Sequence, residues 1–340
     1  MVEQEIRKLQ ILGRSSLGIT LPKRWVDAMG LRPGSPVLIQ LMGNYMVVTP
    51  LNMAVNTGLG TGVTITIERG DPDYALRRLI THYLRGIDQV KLVFGKFTAI
   101  KPAVKELIRD RISGAEVIEE GGDYLVIKFI MPSPEIPIKR LLNRMALVVL
   151  GMIDDALALF RGDGDVEEIV ERDNEVDRLY LLMARLVMMG LVDQTILSKL
   201  EVENSRELVN SLMVAKSLER AGDHAWRAAN FIHEVRKLCC AENPSFVDHL
   251  VEMGRSSAEL LRTSAFSFIN RNLDDALSVL DRRKYMRVKS MEIIKDIYGS
   301  GLHVDVGGRL MMIIESFRRI SEYSYDIAEI TLDTYFDITR

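Results

Sequence analysis

Cysteine is nearly absent from this sequence, and its scarcity excludes a large class of proteins. The chain of 340 residues has two cysteines, adjacent at positions 239 and 240. Small domains held together by disulfides need several cysteines at regular spacings. A structural zinc site needs four ligands, which two thiols alone cannot supply. We therefore interpret Cys239 and Cys240 as reduced thiols in a cytosolic protein.

Long hydrophobic runs are also missing. The most apolar stretch, residues 145–153, is about half of the ~20 residues needed to span a bilayer, and Arg144 and Asp154 flank it. The first ten residues lack the apolar core of a signal peptide. We expect a cytoplasmic protein that does not span a membrane, with residues 145–153 in a core helix.

Common catalytic motifs are absent as well. The sequence has no Walker A loop, no Gly-x-Ser-x-Gly elbow and no Glu-x-x-His pair of the di-iron type. Its five histidines are scattered, and we expect His224 and His233 on helix surfaces. We therefore predict that the chain is not an enzyme. A metalloenzyme is the alternative, and loss of turnover on replacing Asp177 would support it.

Charge is distributed unevenly along the chain. Residues 1–50 carry six Lys/Arg against three acidic residues, a net charge of +3, whereas the whole chain carries −3. The part after residue 50 is therefore acidic. A basic head on an acidic body favours an anionic partner for the head.

The hydrophobic pattern predicts a multidomain α+β fold. Residues 1–52 indicate short strands separated by glycine turns. Residues 63–131 follow the order β-α-β-α-β-β, which predicts a small α/β sandwich. The proline-rich residues 131–137 predict a linker.

From residue 138 to residue 340 the hydrophobic period is helical. We predict about six long helices there, which Pro244 divides into three-helix repeats at 138–240 and 245–340. A weak match between residues 217–225 and 316–324 supports the repeat. Two unrelated amphipathic helices can produce such a match by chance.

The first fifty residues resemble a known DNA-binding domain. Gly13, the ITLPK run at 19–23, the LRPG run at 31–34 and the closing strand ending at Pro50 are similar to the SpoVT/AbrB family of swapped-hairpin domains. The resemblance covers residues 4–50 and implies a β barrel formed by two interleaved copies. A dimer is also expected on physical grounds, because a unit of about 50 residues buries too little surface to be stable alone.

The same resemblance implies where DNA would be contacted. Basic residues at the positions of Arg7, Arg14, Lys23 and Arg24 contact DNA in that family. We add Lys8, because it also lies beside predicted turns, where side chains can reach phosphates or base edges. The predicted DNA-binding set is therefore Arg7, Lys8, Arg14, Lys23 and Arg24. The alternative is that these are solvated charges on a module that only dimerises.

Two motifs in the helical part resemble PhoU, the regulator associated with phosphate transporters. They are LERAGDHA at residues 218–225 and DNEVD at residues 173–177. The resemblance spans about residues 138–340 and implies two three-helix repeats. In that family, Glu/Asp-x-x-x-Asp pairs on neighbouring helices can bind a metal cluster.

Helical geometry supports the first-repeat motif independently. Asp173 and Asp177 are four residues apart, as are Glu219 and Asp223, and each pair falls on the apolar side of its helix. Trp226 is expected on that side too. Buried like charges need a cation or protons. Oxygen ligands favour Mg²⁺, Ca²⁺, Mn²⁺ or iron, so we predict a divalent or iron-type metal ion at these four carboxylates. Hydrated carboxylates in a groove, or pairing with Arg, are the alternatives.

The second repeat departs from this pattern. Arg318 and Glu322 occupy the positions that match Glu219 and Asp223, and Asp281 is followed four residues later by Tyr285. We expect an ion pair between Arg318 and Glu322, and a metal in the first repeat only.

These patterns predict a homodimeric transcription regulator of phosphate uptake, whose head binds DNA and whose helices sense a metal, phosphate status or a partner. The alternative is an adaptor that does not touch DNA and docks on a phosphate transporter or a signalling protein. Binding to promoter fragments that weakens with salt would separate the two.

Overall fold

The computed structural model describes residues 5–13, 16–42, 45–51, 62–130, 136–193, 195–238 and 244–336. The chain divides into two compact units, Met1–Gly60 and Thr61–Arg340. Arg14, Cys239, Cys240 and most of the expected linker at 131–137 lie outside the described residues.

The first unit consists of two hairpins and a short helix. Strand β1 (Gln10–Leu12) pairs antiparallel with β2 (Ser16–Gly18), and β3 (Val37–Met42) pairs antiparallel with β4 (Tyr45–Pro50). Helix α1 (Lys23–Ala28) lies between the hairpins and begins after Pro22, whose ring restricts φ. The hairpins form separate two-stranded sheets.

This unit has almost no core of its own. Among its described side chains in residues 5–51, only Pro50 is buried. Large apolar side chains are exposed instead, including Ile6 at 99% and Ile11 at 75%. Isolated two-stranded hairpins are marginally stable in water. The unit therefore presents an apolar surface that nothing within it covers.

The second unit begins with a four-stranded sheet. Its elements are β5 (Val63–Thr66), α2 (Pro72–Leu84), β6 (Gln89–Val93), a 3-10 helix (Gly95–Ile100), α3 (Lys101–Arg111), β7 (Ala115–Glu120) and β8 (Tyr124–Phe129). The strand order is β5-β6-β8-β7, with β5 and β6 parallel and the other pairs antiparallel. This is the predicted order of strands and helices.

Local chemistry explains where α2 begins. The Asp71 side chain accepts a hydrogen bond from the Asp73 N–H, and Pro72 occupies the first helical position. The helix then buries Leu79 and Tyr83 in one core with strand residues such as Leu92 and Ile127. The α2 and α3 helices are thereby packed on the sheet.

Eight helices follow in the described part of the chain. They are α4 (Ile138–Ala158), α5 (Val166–Val192), α6 (Thr195–Lys199), α7 (Ser205–Leu238), α8 (Pro244–Asn270), α9 (Leu273–Asp281), α10 (Arg283–Gly299) and α11 (Val304–Tyr335). Residues 145–153 lie inside α4, whose side chains Met145, Val149 and Met152 are buried, as expected of a core helix. No helix that the structure describes combines the length and apolarity needed to cross a bilayer.

Six of these eight helices are 17 residues or longer, as predicted, but one of the predicted helices is interrupted. The second helix of the second repeat is divided at Arg282 into α9 and α10. Between Val279 and Met286 no side chain is fully buried. Because packing of an apolar face provides most helix stability in proteins, this charged stretch has little to hold a continuous helix.

Helix α7 is the central element of the helical part. It packs against α4, α5 and α11. Its buried positions include several small residues, namely Ala221, Gly222, Ala225, Ala228 and Ala229. Small side chains at a contact allow helix axes to approach closely. The neighbouring helices can therefore come near α7 along this stretch.

A buried arginine joins the α/β layer to the helices. Arg185 of α5 is 0% exposed, and its guanidinium donates to the carbonyl oxygens of Tyr83 and Ile87 and to Asp88 Oδ1, the last at 3.0 Å. Burial lowers the pKa of Arg185, while Tyr83 and Asp88 act in the opposite direction. This polar contact joins residues that are more than 90 positions apart in the sequence.

We predict that Arg185→Ala lowers the free energy of unfolding by about 3 kcal/mol, because it leaves buried carbonyl groups without donors. Urea unfolding followed by circular dichroism measures this change. Arg206 on α7 is exposed, so Arg206→Ala is the matched control. A loss for Arg185→Ala no larger than that of the control would contradict the assigned role.

Candidate metal centre and nucleic-acid interface

The four predicted carboxylates come from two packed helices. Asp173 and Asp177 lie on α5, and Glu219 and Asp223 lie on α7. One carboxylate oxygen each from Asp177, Glu219 and Asp223 lies within 4.8 Å of the others. Asp173 is outside this tight group but lies next to it. A Cβ built on Gly222, the residue before Asp223, would be 3.7 Å from Asp173 Oδ1.

Two cations neutralise part of this cluster. Lys216 Nζ donates to Glu219 Oε1 at 2.6 Å, and Arg111 Nη1 donates to Asp177 Oδ2 at 3.1 Å. The sequence left pairing with Arg open as an alternative, which Arg111 meets in part, but neither residue was identified from the sequence. Lys216 is three residues before Glu219, a spacing that could have identified it. Arg111 ends α3 in the α/β layer, and no local pattern connects it to Asp177.

Burial and mutual repulsion raise the pKa values of the aspartates. Burial raises the pKa of Asp173 to about 7, and repulsion from the other three carboxylates adds to it. Burial, then Glu219 and Asp177, raise the pKa of Asp223 to about 6. The pKa of Asp177 is raised by burial and Glu219, although Arg111 and Lys216 oppose this. Protons therefore supply positive charge that the cluster lacks.

The donor set fits a hard cation. Glu219 Oε2 is buried and has no hydrogen-bond partner, so one ligand atom is left unsatisfied. Oxygens on opposite sides of one ion are separated by at most twice the metal–oxygen distance, about 4.2 Å for Mg²⁺ and about 5 Å for Ca²⁺. The three oxygens lie within 4.8 Å of one another, which meets the limit for Ca²⁺, whereas Mg²⁺ would require the oxygens to move closer together. Oxygen-only ligands also suit Mn²⁺.

The second repeat has an ion-pair network in the corresponding place. Arg318 pairs with Glu322, and also with Glu315 at 2.8 Å. The predicted ion pair is therefore confirmed. Within the described ranges, no second set of three His, Cys, Asp or Glu side chains is arranged as a metal site.

Three predictions about the faces of α7 are wrong. His224 and His233 are both partly buried rather than on the surface. Burial, followed by Arg227 and Arg319, lowers the pKa of His224 to about 4. Trp226, expected on the apolar side, is exposed. The reason is that α7 contacts helices on more than one side, so a single apolar stripe does not describe its burial.

The predicted DNA-binding residues lie in the first unit. Arg7, Lys8, Lys23 and Arg24 are exposed. Arg7 pairs with Glu5. Arg7 and Arg24 line one groove of about 950 Å³, together with Ile19, Leu21, Trp25 and Met46 among others. Lys8 and Lys23 do not line this groove.

Comparison with known proteins identifies both parts of the chain. Residues 10–55 match the model described as antidote-toxin recognition MazE, bacterial antitoxin, and residues 142–232 match that of the PhoU domain. The predicted fusion of an AbrB-type head with a PhoU-like helical part is thus confirmed, and the PhoU model covers the first of the two predicted helical repeats. No curated protein matches the sequence.

Solved PhoU structures are similar to the helical part. The crystal structure of PhoU from Pseudomonas aeruginosa matches with a TM-score of 0.51 and 19% identity, over 57% of this chain and 93% of that chain. The phosphate transport system regulatory protein PhoU from Streptococcus pneumoniae matches with a TM-score of 0.48 and 18% identity, over 57% of this chain and 91% of that chain. The P. aeruginosa structure shows a shared helical fold.

We predict that stability falls as pH rises from about 4 to about 7, the interval between the usual and the raised pKa of Asp173. In this interval the folded state binds more protons than the unfolded state, so raising the pH favours unfolding. Asp173→Asn should flatten this dependence and raise the melting temperature near neutral pH in metal-free buffer.

Thermal melts across this pH range test the prediction. Glu171 is an exposed acid on the same helix, so Glu171→Gln should keep the pH dependence of the parent. An unchanged slope in Asp173→Asn would mean that repulsion within the cluster does not govern stability.

Proposed function

We propose that the chain is a dimeric, DNA-binding regulator of phosphate uptake whose PhoU domain binds a metal ion. The observation that carries the proposal is the uncovered apolar surface of the first unit beside exposed basic side chains. A MazE/AbrB-type segment typically dimerises and binds DNA, and the PhoU match supports a role in phosphate transport.

A second copy of the head is the partner that best suits this surface. The exposed apolar side chains lie on the strands of both hairpins and on the segments that flank the first hairpin. Contiguous apolar surface of this kind marks an interface in soluble proteins. Two copies could bury these side chains in one shared core, which each copy lacks. The apolar side chains in question are Ile6, Leu9, Ile11, Leu12, Leu17, Ile19, Leu21, Ile39 and Met46.

Pairing also concentrates positive charge. A dimer would present Arg7, Lys8, Lys23 and Arg24 twice on one assembly. Lysine and arginine neutralise phosphates and release counterions, so affinity should fall steeply with salt. Arginine can in addition read guanine through two hydrogen bonds.

We predict that Ile11→Asp abolishes both dimer formation and retardation of promoter DNA by the full chain, because the charge would be buried in the shared core. Lys23→Ala should leave the dimer intact and weaken DNA binding, with a shallower dependence on salt, since one phosphate contact per protomer is lost. Sedimentation and gel retardation at several salt concentrations measure these effects.

Arg32 provides the control for this experiment. It is exposed in the same unit but outside the predicted DNA-binding set, so Arg32→Ala should bind as the parent does. A monomeric parent, or a parent that fails to retard DNA at low salt, would refute the proposal for the head.

The metal part of the proposal is supported by the carboxylate cluster. Asp177, Glu219 and Asp223 would hold the ion, with Asp173 beside them. A bound cation would supply the positive charge that protons otherwise provide to the carboxylates between α5 and α7. Because a ligand that binds only the folded state stabilises it, the PhoU domain would be more stable when metal-loaded.

We predict that Ca²⁺ or Mn²⁺ raises the melting temperature of the full chain, and that Asp177→Asn or Glu219→Gln removes this response. At a concentration of about 100 times Kd the stabilisation is about 2.7 kcal/mol. Glu322→Gln in the second repeat should respond as the parent does. Two ions per chain in the parent, one of them lost in Glu322→Gln, would refute a site confined to the first repeat.

A second candidate function is favoured by one observation. Helix α10 carries exposed apolar side chains, which suit docking on a protein rather than contact with water. An adaptor that docks on a phosphate transporter or a signalling protein could use them. Retention of dimer formation without any DNA binding would favour this function. The side chains are Tyr285, Val288, Met291 and Tyr298.

A further inference from the structure

The second repeat contains a cavity that the proposed function does not use. Its volume is about 460 Å³, within the range of small-molecule sites. Buried side chains from three helices form its floor, and three arginines stand around it. The floor includes Met253, Met286, Ser290, Ser321 and Tyr325, and the arginines are Arg283, Arg287 and Arg318.

Two residues that line this cavity match two residues of the acidic cluster in the first repeat. The match between residues 217–225 and 316–324 pairs Glu219 with Arg318, and both positions line their sites. Glu322, which matches Asp223, is the single acid in the cavity lining. The lining therefore holds three arginines and one carboxylate. Positive side chains dominate here, whereas carboxylates dominate the cluster of the first repeat.

The arginines differ in how fully they are neutralised. Arg318 pairs with Glu315 and Glu322, and Arg283 pairs with Glu329 at 3.2 Å. For Arg287, no carboxylate of the described residues lies within ion-pair distance, although its side chain lines the cavity. A guanidinium without a counter-ion beside two others makes the site attractive to an anion.

Tyr325, whose side chain helps to line the cavity, has a buried hydroxyl without a partner. Tyr325 is 3% exposed, and its Oη is buried and makes no hydrogen bond. Burial raises the pKa of Tyr325 to about 12, so the hydroxyl keeps its proton and can donate. A buried donor without an acceptor is costly, and an anionic oxygen would satisfy it.

We infer that this cavity binds a phosphoryl group, supplied by inorganic phosphate or by a small phosphate monoester. Arginine pairs with phosphate oxygens through two parallel hydrogen bonds, and Tyr325 would donate a further one. The methionine-lined floor leaves room for an apolar organic part beside the phosphoryl group. The inference goes beyond the proposed function, because neither DNA nor the metal enters it.

Calorimetric titration of the full chain in chloride buffer tests the inference, with inorganic phosphate, adenosine monophosphate and adenosine as three separate probes. We expect at least one phosphoryl-bearing probe to bind and adenosine not to bind. Stronger binding of the monophosphate would assign an organic part to the ligand, whereas equal or stronger binding of phosphate would assign free phosphate.

Two variants connect the binding to the cavity. Arg287→Gln should weaken it about tenfold or more, because a charge-assisted hydrogen bond is lost. Tyr325→Phe should also weaken it, yet leave the melting temperature of the free protein unchanged or raised, since it removes an unsatisfied buried group. Arg262 lies on α8 outside the cavity, so Arg262→Gln is the matched control.

Failure of both phosphate and the monophosphate to bind the folded parent would overturn the inference. The inference would also be overturned if Arg287→Gln and Tyr325→Phe both bound the probe as strongly as the parent. The same holds if Arg262→Gln lost as much affinity as the two cavity variants. None of these outcomes bears on DNA binding by the head, which is measured separately.

Discussion

Close packing around α7 is the constraint on which the C-terminal unit depends. Small buried residues such as Ala221, Gly222 and Ala225 let α4, α5 and α11 approach this helix. Any charged side chain that points into such a contact loses water and needs a partner. Asp177 and Glu219 are brought together in this way, and the raised pKa values of the nearby aspartates record the cost.

The two repeats meet this constraint with opposite charges. In the first repeat, carboxylates dominate, and Lys216 and Arg111 neutralise them only in part. In the second, Arg318 lies between Glu315 and Glu322 and faces a cavity with further arginines. The same helical framework therefore carries side chains of opposite charge at matching positions of its two repeats.

The α/β layer is joined to the helices by hydrogen bonds and ion pairs. Arg185 of α5 contacts carbonyl groups in the last turn of α2 and just after it, while Arg111 of α3 contacts Asp177. A metal ion bound at Asp177, as proposed, would alter the ion pair with Arg111. A change of charge in the carboxylate cluster would therefore act on the α/β layer through Arg111, although the sequence of that layer carries no metal-binding pattern.

The sequence by itself determined what depends on local spacing. The order of strands and helices, the cap at Asp71 and Pro72, and the i,i+4 carboxylate pairs follow from residues close together in the chain. Tertiary structure decided the rest: the break at Arg282, the burial of His224, the contact of Arg111 with Asp177 and the cavity around Tyr325. These features arise where helices distant in sequence meet, and the period of one helix does not specify which neighbours surround it.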